Sequence, residues 1–374
     1  MLSVIMKLTN ACNLRCSYCS LGKKINPCFI GKDTAEKAVD FISYTAEKKS
    51  LHEVSVIFHG GEPTLLGVDF YKHIISYAKT HSSVKFLWKL QTNGYSISDE
   101  LIDLFKANDF CIGVSFDGNE DSHDAARVNI NGAGTYEQVK DNLLKMKKAG
   151  ISCSCLMVVN HSSIGKDFEY LRWFNDNDIS LKINPVIDCG EVNGNDAIAL
   201  KEGEYADYLI DLFQFVLDNN IEVSIQPIGN LFNASVGLGN LRECSYSGGC
   251  ANKFLCIDYK GDVYPCGRFC DADKFCMGSV FDEQWDIYNS NGYRALMRFC
   301  NYLKDNCGEC RYLSLCGGGC PAICDINRNK TNTLCRDNIK LFDFFRGEGV
   351  KMYRTYLNRK KAEDVKKLRS MREG

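Results

Sequence analysis

From residue 1 to about 235, short apolar runs alternate with amphipathic stretches. The runs at 3–8, 53–58, 85–91, 110–116, 152–159 and 180–186 predict strands. Several are apolar on both faces, the pattern of parallel strands covered on two sides. Between them lie helical stripes. One starts at Thr135, where Thr135 and Gln138 have capping-box spacing; Tyr136, Val139, Leu143 and Met146 follow, and Gly150 closes it. Another carries Tyr205, Leu209, Leu212 and Val216. Such βα alternation implies a parallel sheet with right-handed crossovers. Six units fit an α/β fold, a partial (β/α)6 barrel of TIM type, whose chemistry sits at the carboxyl ends of the strands.

Near residue 236 the texture changes. From Cys244 to Cys335 the chain is rich in cysteine and glycine and poor in long helices. The expected division is a barrel over 1–235, a cysteine-rich module over 236–345 and a basic helix over 346–374, read as a solvated face rather than a surface for an acidic partner. The net charge of −2 argues against a nucleic-acid partner. No apolar run is long enough to span a membrane, and no signal peptide fits ahead of the first cysteines, so a cytoplasmic location is expected. The 21 cysteines then point to metal rather than disulfides, and to a setting low in oxygen.

The first cysteines, Cys12, Cys16 and Cys19, have C-x3-C-x2-C spacing directly after the first strand. They offer three thiolates where a cubane cluster normally takes four, leaving one iron open to a substrate. A zinc site or core thiols are the alternatives. The second strand ends in His59-Gly60-Gly61-Glu62-Pro63, where glycines admit close backbone approach. The third ends in Gln91-Thr92-Asn93-Gly94 and the fourth in Ser115-Phe116-Asp117-Gly118, with Asp117 read as a turn former. Arg127 closes His123-Asp124-Ala125-Ala126-Arg127. Downstream, Cys307-x2-Cys310-x5-Cys316-x3-Cys320 precedes Cys335, and Cys244-x5-Cys250 precedes Cys266 in Gly261-Asp262-Val263-Tyr264-Pro265-Cys266. The last run reads as a hairpin turning at Lys260-Gly261, with Cys256 on its first strand. A zinc ribbon would need only four of these cysteines.

The cysteine loop, with Tyr18 before its third cysteine, resembles that of the radical S-adenosylmethionine (radical SAM) superfamily. The resemblance implies a [4Fe–4S] cluster on Cys12, Cys16 and Cys19 that binds SAM. It implies SAM contacts from Tyr18, Gly60, Gly61, Glu62, Pro63, Asn93 and Ser115, with Arg127 pairing with the SAM carboxylate. The later cysteines resemble the SPASM extension, which holds two auxiliary [4Fe–4S] clusters. Over nearly the whole length the chain resembles anaerobic sulfatase-maturating enzymes. That likeness implies one auxiliary cluster on Cys244, Cys250, Cys266 and Cys320, and another on Cys307, Cys310, Cys316 and Cys335. The remaining thiols, among them Cys256, Cys270, Cys276 and Cys324, are expected in the core.

Two positions depart from that family. Gly267 stands where the sulfatase maturases carry an aspartate base, and Leu21 where they carry a tyrosine. Asp271 and Asp273 are the nearby substitutes for the base. The reading is an oxidoreductase in which SAM yields a 5′-deoxyadenosyl radical, and the product is a cross-link or an oxidised side chain. By family likeness the substrate is a residue of a ribosomally made peptide or protein, and the reductant a flavodoxin or ferredoxin. A radical SAM dehydrogenase of small molecules and an iron–sulfur electron carrier are the rival readings.

Overall fold

The structure, a computed structural model, describes all residues except 23–25, 193–194, 239–240, 242–243, 245–249, 327–331 and 374; at 250–251, 325–326 and 364–373 it describes the backbone alone. Among the described residues, ten strands form one mixed sheet. Six are the expected ones: Leu2–Lys7, Glu53–His59, Lys85–Thr92, Cys111–Ser115, Ser152–Val159 and Ser180–Pro185. They lie side by side in chain order, every pair parallel, and Ile225–Gln226 extends the series. Beyond the other edge of Leu2–Lys7 comes Phe254–Ile257, also parallel. Asp262–Tyr264 and Gly278–Ser279 then add antiparallel pairs. The cysteine-rich segment thus continues the sheet, through the hairpin expected at Gly261, whose φ of +97° suits glycine.

The strands alternate between fully buried and half-buried positions. One face is thus fully covered and the other partly, with Ser55 and Lys7 buried on it. On the fully covered face Val54, Val56 and Phe58 are inaccessible and join Phe41, Ile42, Tyr71 and Ile74 of helices Lys32–Lys48 and Gly67–His81 in one core. Phe58 stacks on Trp88 with centroids 5.4 Å apart and meets Tyr71 edge-on at 5.3 Å. Burying each such ring contributes about 1.5–3 kcal/mol.

The stripe on helix Tyr136–Lys148 is seated as expected, with Val139, Leu143 and Met146 buried. Its capping box is not formed. Asp124 Oδ1 accepts the N–H groups of Thr135 (2.7 Å) and Tyr136 (2.8 Å). This frees the Thr135 hydroxyl to donate to the Arg127 carbonyl at 2.7 Å. A carboxylate supplied from the preceding helix thus replaces the local cap.

Helix Cys335–Arg346 packs Leu341, Phe342 and Phe345 into the main core. Its Asp337 caps helix Glu204–Asp218 by accepting from Gly203 N (3.2 Å) and Ala206 N (2.9 Å). The last helix, Glu348–Glu373, is not simply solvated. Tyr353 packs on Phe232 at 4.8 Å, Arg359 donates to the Leu217 carbonyl at 2.6 Å, and Lys360 pairs with Glu222. Part of its positive charge is therefore matched within the chain. Among the described residues no helix is long and apolar enough to cross a membrane.

Candidate active site

After Lys7 the chain crosses the end of the second strand. Thr9 O accepts from Gly61 N and Ala11 O from Glu62 N, both at 2.8 Å. The approach leaves no room for side chains: a Cβ on Gly60 would lie 2.3 Å from Thr9 O, and one on Gly61 2.1 Å from Ala11 O. The two glycines therefore seat the cysteine loop itself. Next, Leu14–Cys16 pairs antiparallel with Arg127–Asn129, setting Cys16 opposite Arg127.

The three thiols bear on one another electrostatically. Enclosure in the loop pushes the Cys12 thiol up to about 12, although the residue as a whole is exposed; the Leu14 N–H opposes this, and Glu62, Cys16 and Cys19 add to it. Cys16 is raised by burial, against the pull of Arg127, which also hydrogen-bonds its thiol. Cys19 is raised by burial too, with Asp271 and Glu191 contributing.

Glu62 is inaccessible to solvent. Its carboxylate accepts from Thr64 N (3.0 Å), Thr64 Oγ1 (2.7 Å), Thr92 Oγ1 (2.8 Å) and Asn93 N (2.7 Å). Burial raises its pKa and these donors oppose the rise. Glu62 thus ties the second strand end to the third. Asn93 then donates to Asn13 Oδ1 at 2.8 Å and reaches Cys12 Sγ at 3.7 Å. Pro63 opens a single 3₁₀ turn and accepts from the Tyr71 hydroxyl at 2.8 Å. Ser115 Oγ accepts from Gln91 at 3.2 Å.

Asp117 is the residue the sequence undervalued. It is 2% exposed and no turn former. It receives Arg127 Nε at 2.8 Å and Nη2 at 3.2 Å, the Tyr18 hydroxyl, and Val158 N at 3.0 Å. The Arg127 guanidinium lies 5.2 Å over the Tyr18 ring. Burial alone would lower the Arg127 pKa; Asp117, Tyr18 and Cys16 raise it instead. One edge of the guanidinium is thus committed to a carboxylate of the chain. The available signal was a carboxylate ending an apolar strand, ten residues before an arginine.

The later cysteines bear on one another electrostatically, with Cys324 influenced by Cys320, Cys307 and Cys316. Cys244, Cys266 and Cys320 all bear on Arg268; the side chain of Cys250 lies outside the described residues. Cys316 feels Cys335 and Cys307, and Cys335 feels Cys307 and Cys310. Cys256 and Cys324 are buried, as expected of core thiols, but Cys28, Cys111 and Cys276 are exposed. Cys111 opens its strand at a solvent-facing position, and Cys276 donates from the surface to Gly278 O at 3.5 Å. Among the described residues no three His, Cys, Asp or Glu side chains close around a single-ion site. Zinc would draw its thiolates to about 2.3 Å from one centre; a four-iron core is wider and is held by thiolates. The donor chemistry, thiols alone, suits such a core.

Gly267 opens the short helix Gly267–Asp271. A Cβ there would face Lys7 Cε at 3.4 Å and Nζ at 3.9 Å. Lys7 forms an ion pair with Asp271, their side chains 7% and 18% exposed. Burial pulls the Lys7 pKa down, yet Asp271, Cys256 and Cys270 hold it above the ordinary value. Asp273 points elsewhere, accepting from the Tyr264 hydroxyl at 2.8 Å. The two candidate bases are thus separated, and Asp271 alone bears on Cys19. His59, overlooked in the sequence, accepts from Gly60 N at 2.7 Å and is lowered to about 4 by burial and by Lys7.

The Radical SAM superfamily model matches residues 6–171, and the SPASM model, an iron–sulfur cluster-binding domain, matches 249–311. The second span contains Cys250, Cys266, Cys307 and Cys310. The chain is 27% identical over 332 residues to the cysteine-type anaerobic sulfatase-maturating enzyme of Clostridium novyi (strain NT), covering 85% of this chain and 87% of that protein. The serine-type anaerobic sulfatase-maturating enzyme of Bacteroides thetaiotaomicron is 24% identical, covering 86% and 82%. Among solved structures, native anSMEcpe with bound AdoMet and Kp18Cys peptide shares the fold at TM-score 0.83 and 24% identity, over 96% of this chain and 99% of that one. Streptococcus suis SuiB bound to precursor peptide SuiA is similar at TM-score 0.63 and 15% identity, over 89% and 74%.

Proposed function

This chain is a radical SAM/SPASM enzyme, and from that premise we propose that it oxidises one residue of a ribosomally made peptide or protein. The observation that carries the reading is the meeting of Cys12, Cys16 and Cys19 with Glu62, Asn93 and Arg127 at the carboxyl ends of consecutive parallel strands. The three thiolates would hold a [4Fe–4S] cluster which, with SAM bound, would supply the power to take a hydrogen atom from an unactivated carbon.

The chain's own residues hold the frame for that chemistry. Gly60 and Gly61 fix the loop against the second strand, and Glu62 locks that strand end to Asn93. Tyr18, Asp117 and Arg127 form a rigid floor beside Cys16, while Pro63 and Ser115 complete the SAM-facing rim. Asp271, held by Lys7, accepts the proton that the substrate residue gives up; Asp273 is the second candidate. In this reading the fold is a partial (β/α)6 barrel over 1–235, a SPASM domain over 236–345 and a basic helix over 346–374. Cys244, Cys250, Cys266 and Cys320, and Cys307, Cys310, Cys316 and Cys335, would hold the auxiliary [4Fe–4S] clusters, which would supply an acceptor for the substrate's electron. The reductant is a flavodoxin or ferredoxin, and the reaction is cytoplasmic.

A peptide substrate is supported by relatives that carry the name sulfatase-maturating enzyme and by two similar folds solved with peptides. The sulfatase reaction itself is disfavoured, since the base is missing at Gly267 and its substitute, Asp271, stands elsewhere on the helix and is paired with Lys7. Coexpression with short open reading frames beside the gene tests the proposal. Mass spectrometry is expected to find a peptide lacking two hydrogens; unchanged peptides, with SAM consumed on a small molecule instead, overturn it.

A further inference from the structure

Arg268 stands two residues after Cys266. Its Nη1 donates to Cys320 Sγ at 3.3 Å. After burial, the groups that bear most on it are Cys320, Cys244 and Cys266, all thiols. It shares with Cys320 the wall of a small cleft at the end of strand Ser180–Pro185, which Lys182, Asn184 and Tyr205 also line. A partly desolvated cation needs an anion, and among the described residues no carboxylate pairs with it. Four thiolates around an oxidised four-iron core give that anion, and one-electron reduction makes it more negative.

We propose that Arg268 is a positioning residue that raises the reduction potential of the cluster on Cys244, Cys250, Cys266 and Cys320, keeping that cluster able to accept the electron an oxidised substrate residue releases. The proposal rests on the cluster assignment above. Its chemical basis is general: hydrogen bonds to cluster sulfur and nearby positive charge stabilise the reduced form. One electron enters the core and no bond forms or breaks. Among the described residues the other group, Cys307, Cys310, Cys316 and Cys335, receives no arginine hydrogen bond, and the cation that bears on it is Arg336, near Cys335.

The test uses the full chain, reconstituted anaerobically, with Cys12, Cys16 and Cys19 replaced by alanine so that only auxiliary clusters remain. Redox titration with dithionite, followed by electron paramagnetic resonance, reads two midpoints. Arg268→Gln is expected to make reduction at one of them at least tenfold less favourable, about 59 mV for one electron, and to leave the other in place. Arg268→Lys, which keeps the charge, is expected to stay within threefold of the parent. Unmoved midpoints in Arg268→Gln, or two midpoints moving together, overturn the proposal. If Arg268→Gln loses iron, Arg268→Lys decides: a tenfold loss in that variant also overturns it. A parent protein holding fewer than about eight irons refutes the cluster assignment itself, a failure visible before any variant is made.

Discussion

Lys7 and Asp271 form a partly buried ion pair that joins the end of the first strand to the helix after Cys266. The pair stands beside Gly267, so a lysine–aspartate couple occupies the neighbourhood where the sulfatase maturases keep their aspartate. Asp271→Asn is expected to lower formation of the oxidised product by about 10² to 10⁴, the usual contribution of a general base, while SAM is still cleaved without product. Iron content should not change. The measurement is the ratio of 5′-deoxyadenosine to modified peptide, and a ratio like wild type's removes Asp271 as the base. On a sulfatase-type peptide the wild-type enzyme should give no formylglycine.

Gly61 offers a sharper test of the loop. A Cβ there would stand 2.1 Å from Ala11 O, a backbone atom that cannot swing away. Gly61→Ala should therefore displace the Cys12 segment and lose the SAM-binding cluster alone. Iron should fall from about twelve atoms per chain to about eight, the yield of two cubanes, with SAM cleavage abolished. A variant that keeps all its iron and its activity would show that the loop does not need this seat.

The strands were readable because parallel strands between helices are built from local apolar runs, and the cysteines because their spacing is local. What escaped reading depends on chain crossings. Tyr18, Asp117 and Arg127 meet only because Leu14–Cys16 pairs with Arg127–Asn129. Asp124 takes the cap that Thr135 is spaced to make, since it arrives from the preceding helix. Strand Phe254–Ile257 is legible as half of a hairpin, but its pairing beside Leu2–Lys7 spans most of the sequence, so no local pattern announces that pairing. Burial of individual cysteines also follows position in the strand rather than residue type, which is why Cys111 is exposed and Cys155 is not.

Cys256 and Cys320 test the division between core thiols and proposed ligands. Cys256 is inaccessible on strand Phe254–Ile257, hydrogen-bonded to Cys270 and raised well above the ordinary thiol range, chiefly by burial. Cys256→Ala should retain about twelve irons. Cys320→Ala and Cys250→Ala should each lose about four, the content of one cubane. Iron and sulfide analysis of the three purified variants gives the answer, and a reversed pattern shifts the ligand assignment onto the hairpin strand.

His123 ties stability to pH. It is inaccessible, and burial lowers its pKa to about 4, Arg127 adding to the fall and Asp117 opposing it. Its Nδ1 accepts from Asp117 N at 3.3 Å, and its Nε2 lies 3.1 Å from Thr135 Oγ1. That hydroxyl donates to Arg127 O, so Nε2 carries the proton and the neutral ring is satisfied at both nitrogens. A second proton would set Nδ1–H against the Asp117 N–H. The folded ring thus resists protonation, whereas the unfolded ring binds a proton near pH 6.5. Stability from this group is complete above that value and falls as pH drops toward 4, because the unfolded chain then holds more protons. Between pH 7 and 5.5 the loss should be about 1 kcal/mol. Urea unfolding of wild type and His123→Gln at both pH values reads it. The variant should be less stable at pH 7 yet lose about 1 kcal/mol less than wild type on acidification, and equal losses in the two proteins would assign the acid sensitivity to other groups.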